Sequence, residues 1–461
     1  MKIFVLAAGK STRFKSAKHK ALHDFLGQSI FARVKQALIN LKPDFIQFVL
    51  GHQLPVLSAL LKSDQQEFFI EQKQQLGTAH ALKTALSAER FINLPENENI
   101  NLLITCIDTP LLTTETLQNL IHSTKLEKAE IGILTAELDN PTGYGRIIKS
   151  KNDLIQAIRE EKDCTENERK ISEINAGVYY FNLSFSKLKE GLDSIQNTNS
   201  QQEYYLTDLI EWAITNNLKV ISSICKDSSE VLGINSRADL EKAIQTASRK
   251  QVQKLMAQGI TFLDSTTVLI SPETEIGADS VILPNCQFIG KVKIGSESNI
   301  GPNTFIQNSE IGHNCSIRQS NLVEVNIADQ CSVGPFANLR PQTILDTGVL
   351  IGDFVEVKNS FIGKNSKVSH LSYMGDCTLG EEVNIGAGTI TANYNALSGN
   401  KSKTIIGDKV KVGSNCVFVA PVQIADSCFV AAGSTVTQDV EHSNSLIIAR
   451  SKQIIKENWV K

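Results

Sequence analysis

From Ile276 to Ile306 an aliphatic or aromatic residue recurs at every sixth position, through Ile282, Phe288, Ile294 and Ile300. The spacing returns at Ile406, Val412, Phe418, Ile424, Val430 and Val436. Such a period matches neither the ~3.6 residues of an α-helix nor the ~2 of a half-buried strand. It matches a parallel β-helix built from hexapeptides, in which each short strand sends one side chain into a narrow prism. Glycine follows the inward position at Gly277, Gly295, Gly301, Gly312, Gly334, Gly352, Gly363, Gly380, Gly386, Gly407 and Gly413, where a tight corner is expected to need φ freedom. The period slips over 391–404, TANYNALSGNKSKT. That polar, Gly-containing stretch predicts a loop ejected from the coil, and loops on a rigid scaffold are where binding residues collect.

Residues 1–228 follow another rule. Strand-like runs at 2–8, 45–50 and 100–105 alternate with helical patterns at 29–41 and 77–90, which predicts an open α/β sheet with ligands at the carboxyl ends of its strands. Gly9 and Asp108 fall just past two such ends. Gly9-Lys10-Ser11-Thr12 ends like a P-loop, but the glycine needed five positions earlier is Phe4, so the segment reads as a strand opening into a single-glycine turn rather than as a P-loop. A helical pattern in SRADLEKAIQTASRKQVQKLMAQGI, with Leu240, Ile244, Leu255 and Met256 along one side, precedes the six-residue period. The 461 residues exceed the roughly 250–300 at which single cores split. The expected division is therefore 1–228, a linker with a helix at 229–262, and a β-helix domain at 263–461.

A net charge of −3 argues against a general nucleic-acid binder. The local run of Lys10, Arg13, Lys15, Lys18 and Lys20 instead suits a small phosphorylated ligand. Nine cysteines without a CxxC pair fit a reducing cytoplasm better than a disulfide framework or zinc ribbon. The apolar run Ile3 to Ala8 is too short for a signal-peptide core, and nothing approaches the ~18 apolar residues of a membrane span. A cytoplasmic protein is expected.

The segments LAAGKSTR, QKQQLGTAHA, PTGYGRI, REEKD, EINAG, EYYLTD and VLGINSR are followed by GPFANLRP, FVEVKNS, HLSYMGD, NIGAGTITANY and VGSNCVFVAPV. Their order, from residue 3 to about 452, resembles the bifunctional GlmU family, an N-acetylglucosamine-1-phosphate uridylyltransferase joined to a glucosamine-1-phosphate N-acetyltransferase. The resemblance implies a Rossmann-like nucleotidyltransferase domain, a linker helix and a left-handed parallel β-helix. It implies acetyl transfer from acetyl-CoA to glucosamine 1-phosphate, then uridylyl transfer from UTP to N-acetylglucosamine 1-phosphate with release of pyrophosphate. The product, UDP-N-acetylglucosamine, is a precursor of peptidoglycan and lipopolysaccharide. Mg²⁺ and a homotrimer assembled through the β-helix are implied as well.

In nucleotidyl transfer a sugar phosphate attacks the α-phosphorus in line while pyrophosphate leaves with its charge neutralised. The turn Leu6, Ala7, Ala8, Gly9 would bring backbone to the nucleotide, and Lys10, Arg13 and Lys20 are available to phosphates. Asp108 suits Mg²⁺ because a hard cation prefers carboxylate oxygen. The resemblance adds Asn235 as a second metal ligand and Lys20 as a catalytic residue. It also adds Gln72, Gly77, Thr78, Cys106, Ile107, Gly145, Glu160 and Asn175 as contacts to the sugar nucleotide. Read alone, Asp108 and Thr78 are more often turn or cap residues. The family usually has glycine directly before the metal aspartate; here Ile107 stands there, and at φ > 0 a β-branched residue would be strained by about 1–3 kcal/mol.

Acetylation of an amine requires its ammonium to lose a proton, so a base of pKa near 6.5–7 is needed beside it. His370 is the candidate; a lone histidine is more often a packing residue. The resemblance places Arg340, Lys358, Tyr373 and Asn384 on the sugar phosphate. It places Asn393, Tyr394, Lys401, Ser414, Ala432 and Arg450 on coenzyme A, with the Ala387 N–H stabilising the tetrahedral oxyanion. Coils of ~18 residues would bring His370 and its partners onto neighbouring turns, and Glu356 is expected to orient the amine or the base. Two other readings compete. One is a nucleotidyltransferase making ADP-glucose or GDP-mannose without acetyl activity, which leaves the His370 group unexplained. The other is a non-catalytic scaffold of the same architecture, which leaves Lys20, Asp108, Asn235 and His370 unexplained.

Overall fold

The computed structural model describes residues 1–9, 12–51, 67–88, 91 and 95–459. It separates into two compact units, Met1–Ile244 and Gln245–Lys461, the division falling inside one helix, Arg237–Ala257.

The first unit is built on a nine-stranded sheet. Its main path runs Val220–Ile224, Ile131–Glu137, Glu173–Ser184, Asn99–Cys106, Lys2–Ala7, Phe45–Leu50, Glu67–Glu71. Only Glu173–Ser184 on that path is antiparallel to its neighbours. The predicted strands at 2–8, 45–50 and 100–105 are all present, and the predicted helices are Ile30–Ile39 and Thr78–Leu86. Residues 89 and 90, at the end of the second predicted helix, lie outside the described residues. Ser29 starts the first helix by accepting from the Ala32 N–H at 3.1 Å, satisfying one of the donors a helix start leaves open. Strands buried on both faces read as the unbroken apolar runs of the sequence; Ile3, Phe4 and Val5 are each fully buried.

The second unit is three parallel ladders of 11, 10 and 9 short strands, visited in rotation by the chain. All twelve residues of the six-residue period lie in one core, and Ile282, Phe288, Ile300, Ile306, Phe418 and Val430 are fully inaccessible. They stack coil over coil, Ile282 opposite Ile300 opposite Ile317. Lys367 pairs with Asn384, and Asn384 with Lys411. The second step is the longer one because it contains the ejected loop, whose base closes where Tyr394 bridges Lys401.

Two expectations need correction. Among the glycines that follow inward positions, only Gly301 and Gly334 have φ in the left-handed region; the corners are turned instead by residues such as Asn285, Asn314 and Asn365. The glycines are required by close approach. A Cβ on Gly277 would lie 2.3 Å from the Ser296 nitrogen of the next coil, and one on Gly295 2.6 Å from the Gly312 carbonyl carbon. The second correction is to the linker helix. Met256 is 40% exposed, and the buried stripe is Ala243, Ala247, Ser248, Gln251, Val252 and Leu255. Within the second unit Val252 and Leu255 join the prism core. Gln251 Nε2 donates to Thr274 O at 2.6 Å, and Ser248 Oγ accepts from the Ile270 N–H at 2.9 Å, so this half of the helix closes the end of the prism.

Candidate functional site

Lys2–Ala7 lies between Phe45–Leu50 and Asn99–Cys106, parallel to both. The strand order reverses there, and such a switch point is where open α/β sheets leave room for a ligand. A cavity of about 440 Å³ opens at that place. It is lined by Leu6, Ala7, Ala8, Gly9, Lys20, Gln72, Gly77, Thr78, Cys106, Ile107, Asp108 and Asn235, all drawn from the sequence reading. Gln75, Ala81 and Glu203 line it too; they were missed although each sits inside a quoted segment. Of the basic run, Lys20 alone among the described residues reaches the lining. Arg13, Lys15 and Lys18 are exposed, and Lys10 lies outside the described residues.

The floor of the cavity is electrostatic. Lys20 Nζ lies 2.6 Å from Asp108 Oδ2 and 3.5 Å from Ile234 O. Asn235 is brought up by two backbone ties: Ile234 N–H donates to Asp108 O at 2.8 Å, and Asn235 N–H donates to Asp239 Oδ2 at 3.0 Å. That carboxylate also accepts from the Ser236 N–H at 2.7 Å while Ser236 Oγ accepts from the Asp239 N–H at 3.2 Å, a reciprocal cap on the start of Arg237–Ala257. Among the described residues no three His, Cys, Asp or Glu side chains gather as a metal cluster. A carboxylate and an amide carbonyl on one wall suit a hard cation that takes its other ligands from phosphate and water, and do not suit zinc.

Gly145, Glu160 and Asn175 are not in the lining of that cavity. They form its neighbourhood: Asn175 N–H donates to Gly145 O at 2.9 Å, and Asn175 Nδ2 donates to Tyr179 Oη at 2.7 Å across a bulge. Burial pushes the Glu160 carboxyl above its ordinary range, and the Thr207 hydroxyl, 3.3 Å away, pulls it part of the way back. Burial, with Asp108 adding to it, raises the Cys106 thiol to about 12, so it stays protonated at neutral pH and is no nucleophile.

Ile107 is not strained. Its φ lies outside the left-handed region, its N–H donates to Leu6 O at 3.2 Å, and its side chain, 1% exposed, packs in a core with Val5, Leu103 and Leu112. Ile107→Gly is therefore expected to cost about 2–5 kcal/mol through lost burial and a residual cavity. The first unit should melt earlier in calorimetry, the reverse of strain relief. An unchanged or raised melting temperature would contradict this.

On the second unit, His370 Nδ1 lies 2.5 Å from Asp353 Oδ1, its register partner one coil earlier. The histidine hydrogen bond holds the Asp353 carboxyl below its usual range. Asp353 was missed, though a residue one coil length before His370 could have been sought. The column continues through Ala387, Ser414, Ala432 and Arg450, which occupy the same edge on later coils: Gly388 N–H donates to His370 O, Asn415 N–H to Ala387 O and Gly433 N–H to Ser414 O. Arg450 Cδ lies 4.0 Å from the Cβ position at Gly433.

Arg340, Lys358 and Tyr373 belong to a different ladder, while Asn384 shares the ladder of His370. No described hydrogen bond or ion pair joins His370 to any of them. Glu356 holds Arg340 Nη1 at 2.8 Å, and the described carboxylate in contact with His370 is Asp353. Lys401, contributed by the ejected loop, pushes Lys358 below its ordinary range, with Arg340 adding to it. Three cations close together make a place for a phosphate. The Asn393 side chain is committed to Asp376, which Asn359 also grips, so its Nδ2 does not face outward. Tyr394 is 60% exposed.

Residues 3–173 match the MobA-like NTP transferase domain. Residues 273–308 and 403–438 match the bacterial transferase hexapeptide repeats, and 321–420 match the GMPPB C-terminal domain. The chain is 42% identical over 461 residues to the bifunctional protein GlmU of Carboxydothermus hydrogenoformans, covering 100% of both. It is 42% identical over 456 residues to that of Thermoanaerobacter pseudethanolicus, covering 99% of this chain and 96% of the relative. To that of Nostoc sp. it is 40% identical over 457 residues, covering 99% and 98%.

Proposed function

Because the chain belongs to the GlmU family of bifunctional proteins, we infer that the cavity of the first unit and the His370 edge of the second carry separate reactions. The protein is a bifunctional transferase that makes UDP-N-acetylglucosamine by acetyl transfer and uridylyl transfer. In the acetyl step the glucosamine 1-phosphate amine attacks the thioester carbonyl carbon of acetyl-CoA. His370 Nε2 takes the amine proton, the C–S bond breaks, and coenzyme A leaves as the thiol once its sulfur is protonated. Asp353 on Nδ1 fixes the tautomer that leaves Nε2 able to accept. Arg340 and Lys358 hold the sugar phosphate, Lys401 lies beside them toward coenzyme A, and the Ala387 N–H faces the oxyanion.

In the uridylyl step the phosphate oxygen of N-acetylglucosamine 1-phosphate attacks the α-phosphorus of UTP and pyrophosphate leaves. Lys20 sets a positive charge beside Asp108 for that departure. Asp108 and Asn235 would hold Mg²⁺, which when bound neutralises developing charge on the phosphates. Asn175, at the neighbouring bulge, and Glu160, just past the strand Ile155–Arg159, approach the sugar.

The His370–Asp353 contact is the observation that carries the acetyl half. It separates this reading from a nucleotidyltransferase without acetyl activity. The test is an assay of purified protein with glucosamine 1-phosphate, acetyl-CoA, UTP and Mg²⁺, following thiol and pyrophosphate together. Both should accumulate; thiol release absent while pyrophosphate forms from supplied N-acetylglucosamine 1-phosphate would remove the acetyl half.

A cytoplasmic homotrimer completes the proposal. No described helix is long and apolar enough to cross a membrane. Beside the His370 column, Phe336 and Phe354 stack at 5.3 Å and are 53% and 57% exposed, and Leu371 is 62% exposed. All three hold left-handed φ, a conformation costly for such side chains. An apolar strip beside an acceptor group that one chain leaves on a separate ladder supports packing against a second copy. Sedimentation should give three times the 50.6 kDa chain mass. Phe336→Ser with Phe354→Ser should dissociate the assembly and lower acetyl transfer at least tenfold while sparing uridylyl transfer. A double variant that stays trimeric and fully active would exclude this surface.

A further inference from the structure

We propose that His80 is a positioning residue for the nucleotide base: it locks the Gln72 carboxamide so that Oε1 faces the cavity as an acceptor for the imide N–H of uracil. The inference rests on the uridylyl reading above. Gln72 is 2% exposed, lines the cavity, and has little freedom to be reoriented by solvent. Its Nε2 donates to Gly77 O at 3.1 Å and lies 2.9 Å from His80 Nδ1. A carbonyl oxygen only accepts, so the amide nitrogen must face Gly77. The second Nε2 proton then meets His80 Nδ1, which must accept it, leaving the imidazole proton on Nε2.

Gly77 is itself fixed. Its φ is +114°, and a Cβ there would lie 2.4 Å from Tyr204 O, so no larger residue is accommodated. Burial chiefly, with Lys83 adding to it, holds His80 below its ordinary range, which keeps the ring neutral and Nδ1 an acceptor at neutral pH. Both amide protons of Gln72 are therefore used inside the protein, and among the described residues no hydrogen bond reaches its Oε1. What Gln72 offers a ligand is an acceptor. Uracil carries an N–H on its imide nitrogen, where cytosine carries a lone pair. An oxygen held at that place pairs with the first and repels the second, and a locked group discriminates where a rotating amide would serve both bases.

The test is steady-state pyrophosphate release with UTP, CTP and 3-methyl-UTP, which lacks the imide proton, for the parent, His80→Phe and His80→Asn. The asparagine carbonyl stands close to where Nδ1 accepts. The parent should favour UTP over both analogues. His80→Phe should lower the UTP-to-CTP ratio in kcat/KM about tenfold or more, mainly by raising KM for UTP, and should narrow the gap to 3-methyl-UTP in step; His80→Asn should keep both ratios. Should His80→Phe fail to fold by circular dichroism, His80→Ala removes the same acceptor without bulk. A folded variant lacking the acceptor that retains the parent ratios would overturn the role of His80. Gln72→Ala separates the two levels. If it shifts the ratios and the His80 variants do not, only the positioning role falls; if it shifts nothing, Gln72 does not read the base and both readings fall.

Discussion

Replacing His370 by alanine is expected to lower acetyl transfer by roughly 10²–10⁴-fold, the usual worth of a positioned general base. The loss should fall on kcat, because the sugar phosphate is held by Arg340 and Lys358 on a different ladder. Uridylyl transfer should be unaffected, since it belongs to the other unit. Raising the pH should recover part of the rate, because a growing share of the substrate amine then needs no base. Asp353→Asn should cost less and leave the same kcat signature, since it loosens the hold on Nδ1, 2.5 Å from Asp353 Oδ1, without removing the accepting Nε2. If His370 only packed, its removal would lower the melting temperature and cause a loss that no pH recovers. With the side chain 59% exposed, that outcome has little physical basis. Coenzyme A release at the parent rate from a stable His370→Ala oligomer would eliminate the assignment.

Asp108→Ala is expected to reduce uridylyl transfer by at least 10³-fold while acetyl transfer continues. The substitution removes the carboxylate from the cavity wall that carries Asn235 and leaves Lys20, 9% exposed, without its partner at 2.6 Å. An unpaired buried ammonium is costly, so some loss of stability in the first unit should accompany the loss of rate. Direct titration with Mn²⁺ in the presence of UTP provides a readout independent of turnover: binding should weaken strongly in Asp108→Ala and less in Asn235→Ala, where a neutral donor is lost. Metal affinity equal to the parent in both variants would place the metal elsewhere.

Much of this was legible in the chain. The six-residue period is legible because each inward side chain of a β-helix is repeated once per strand, and burial then admits only aliphatic or aromatic residues in Ile276, Ile282 and Phe288. The uridylyl cavity was legible because its contributors end strands or open helices, where local sequence already carries a turn signal. Other features depended on contacts distant in sequence. The use of Gly277 and Gly295 was misread because a lone sequence does not reveal that the next coil's backbone lies within 3 Å of a would-be Cβ. Ile107 was misread because its φ is set by a hydrogen bond to Leu6. The acetyl site was only partly legible: one-dimensional spacing places His370 and Lys358 on neighbouring coils but does not say which edge of the prism each turns toward.

The helix that closes the prism has a further consequence. Parallel ladders end in a row of backbone donors and acceptors with no next strand, and an exposed edge of that kind recruits other chains. Ser248 and Gln251 occupy part of that edge with side-chain hydrogen bonds, while Val252 and Leu255 cover the apolar bore. The residues just before the repeats thus serve as a guard against end-to-end polymerisation. A chain cut where the six-residue period begins would retain every acetyl-transfer residue and lose that guard. For solubility, the boundary of the β-helix lies upstream of Ser248, well before its first repeat.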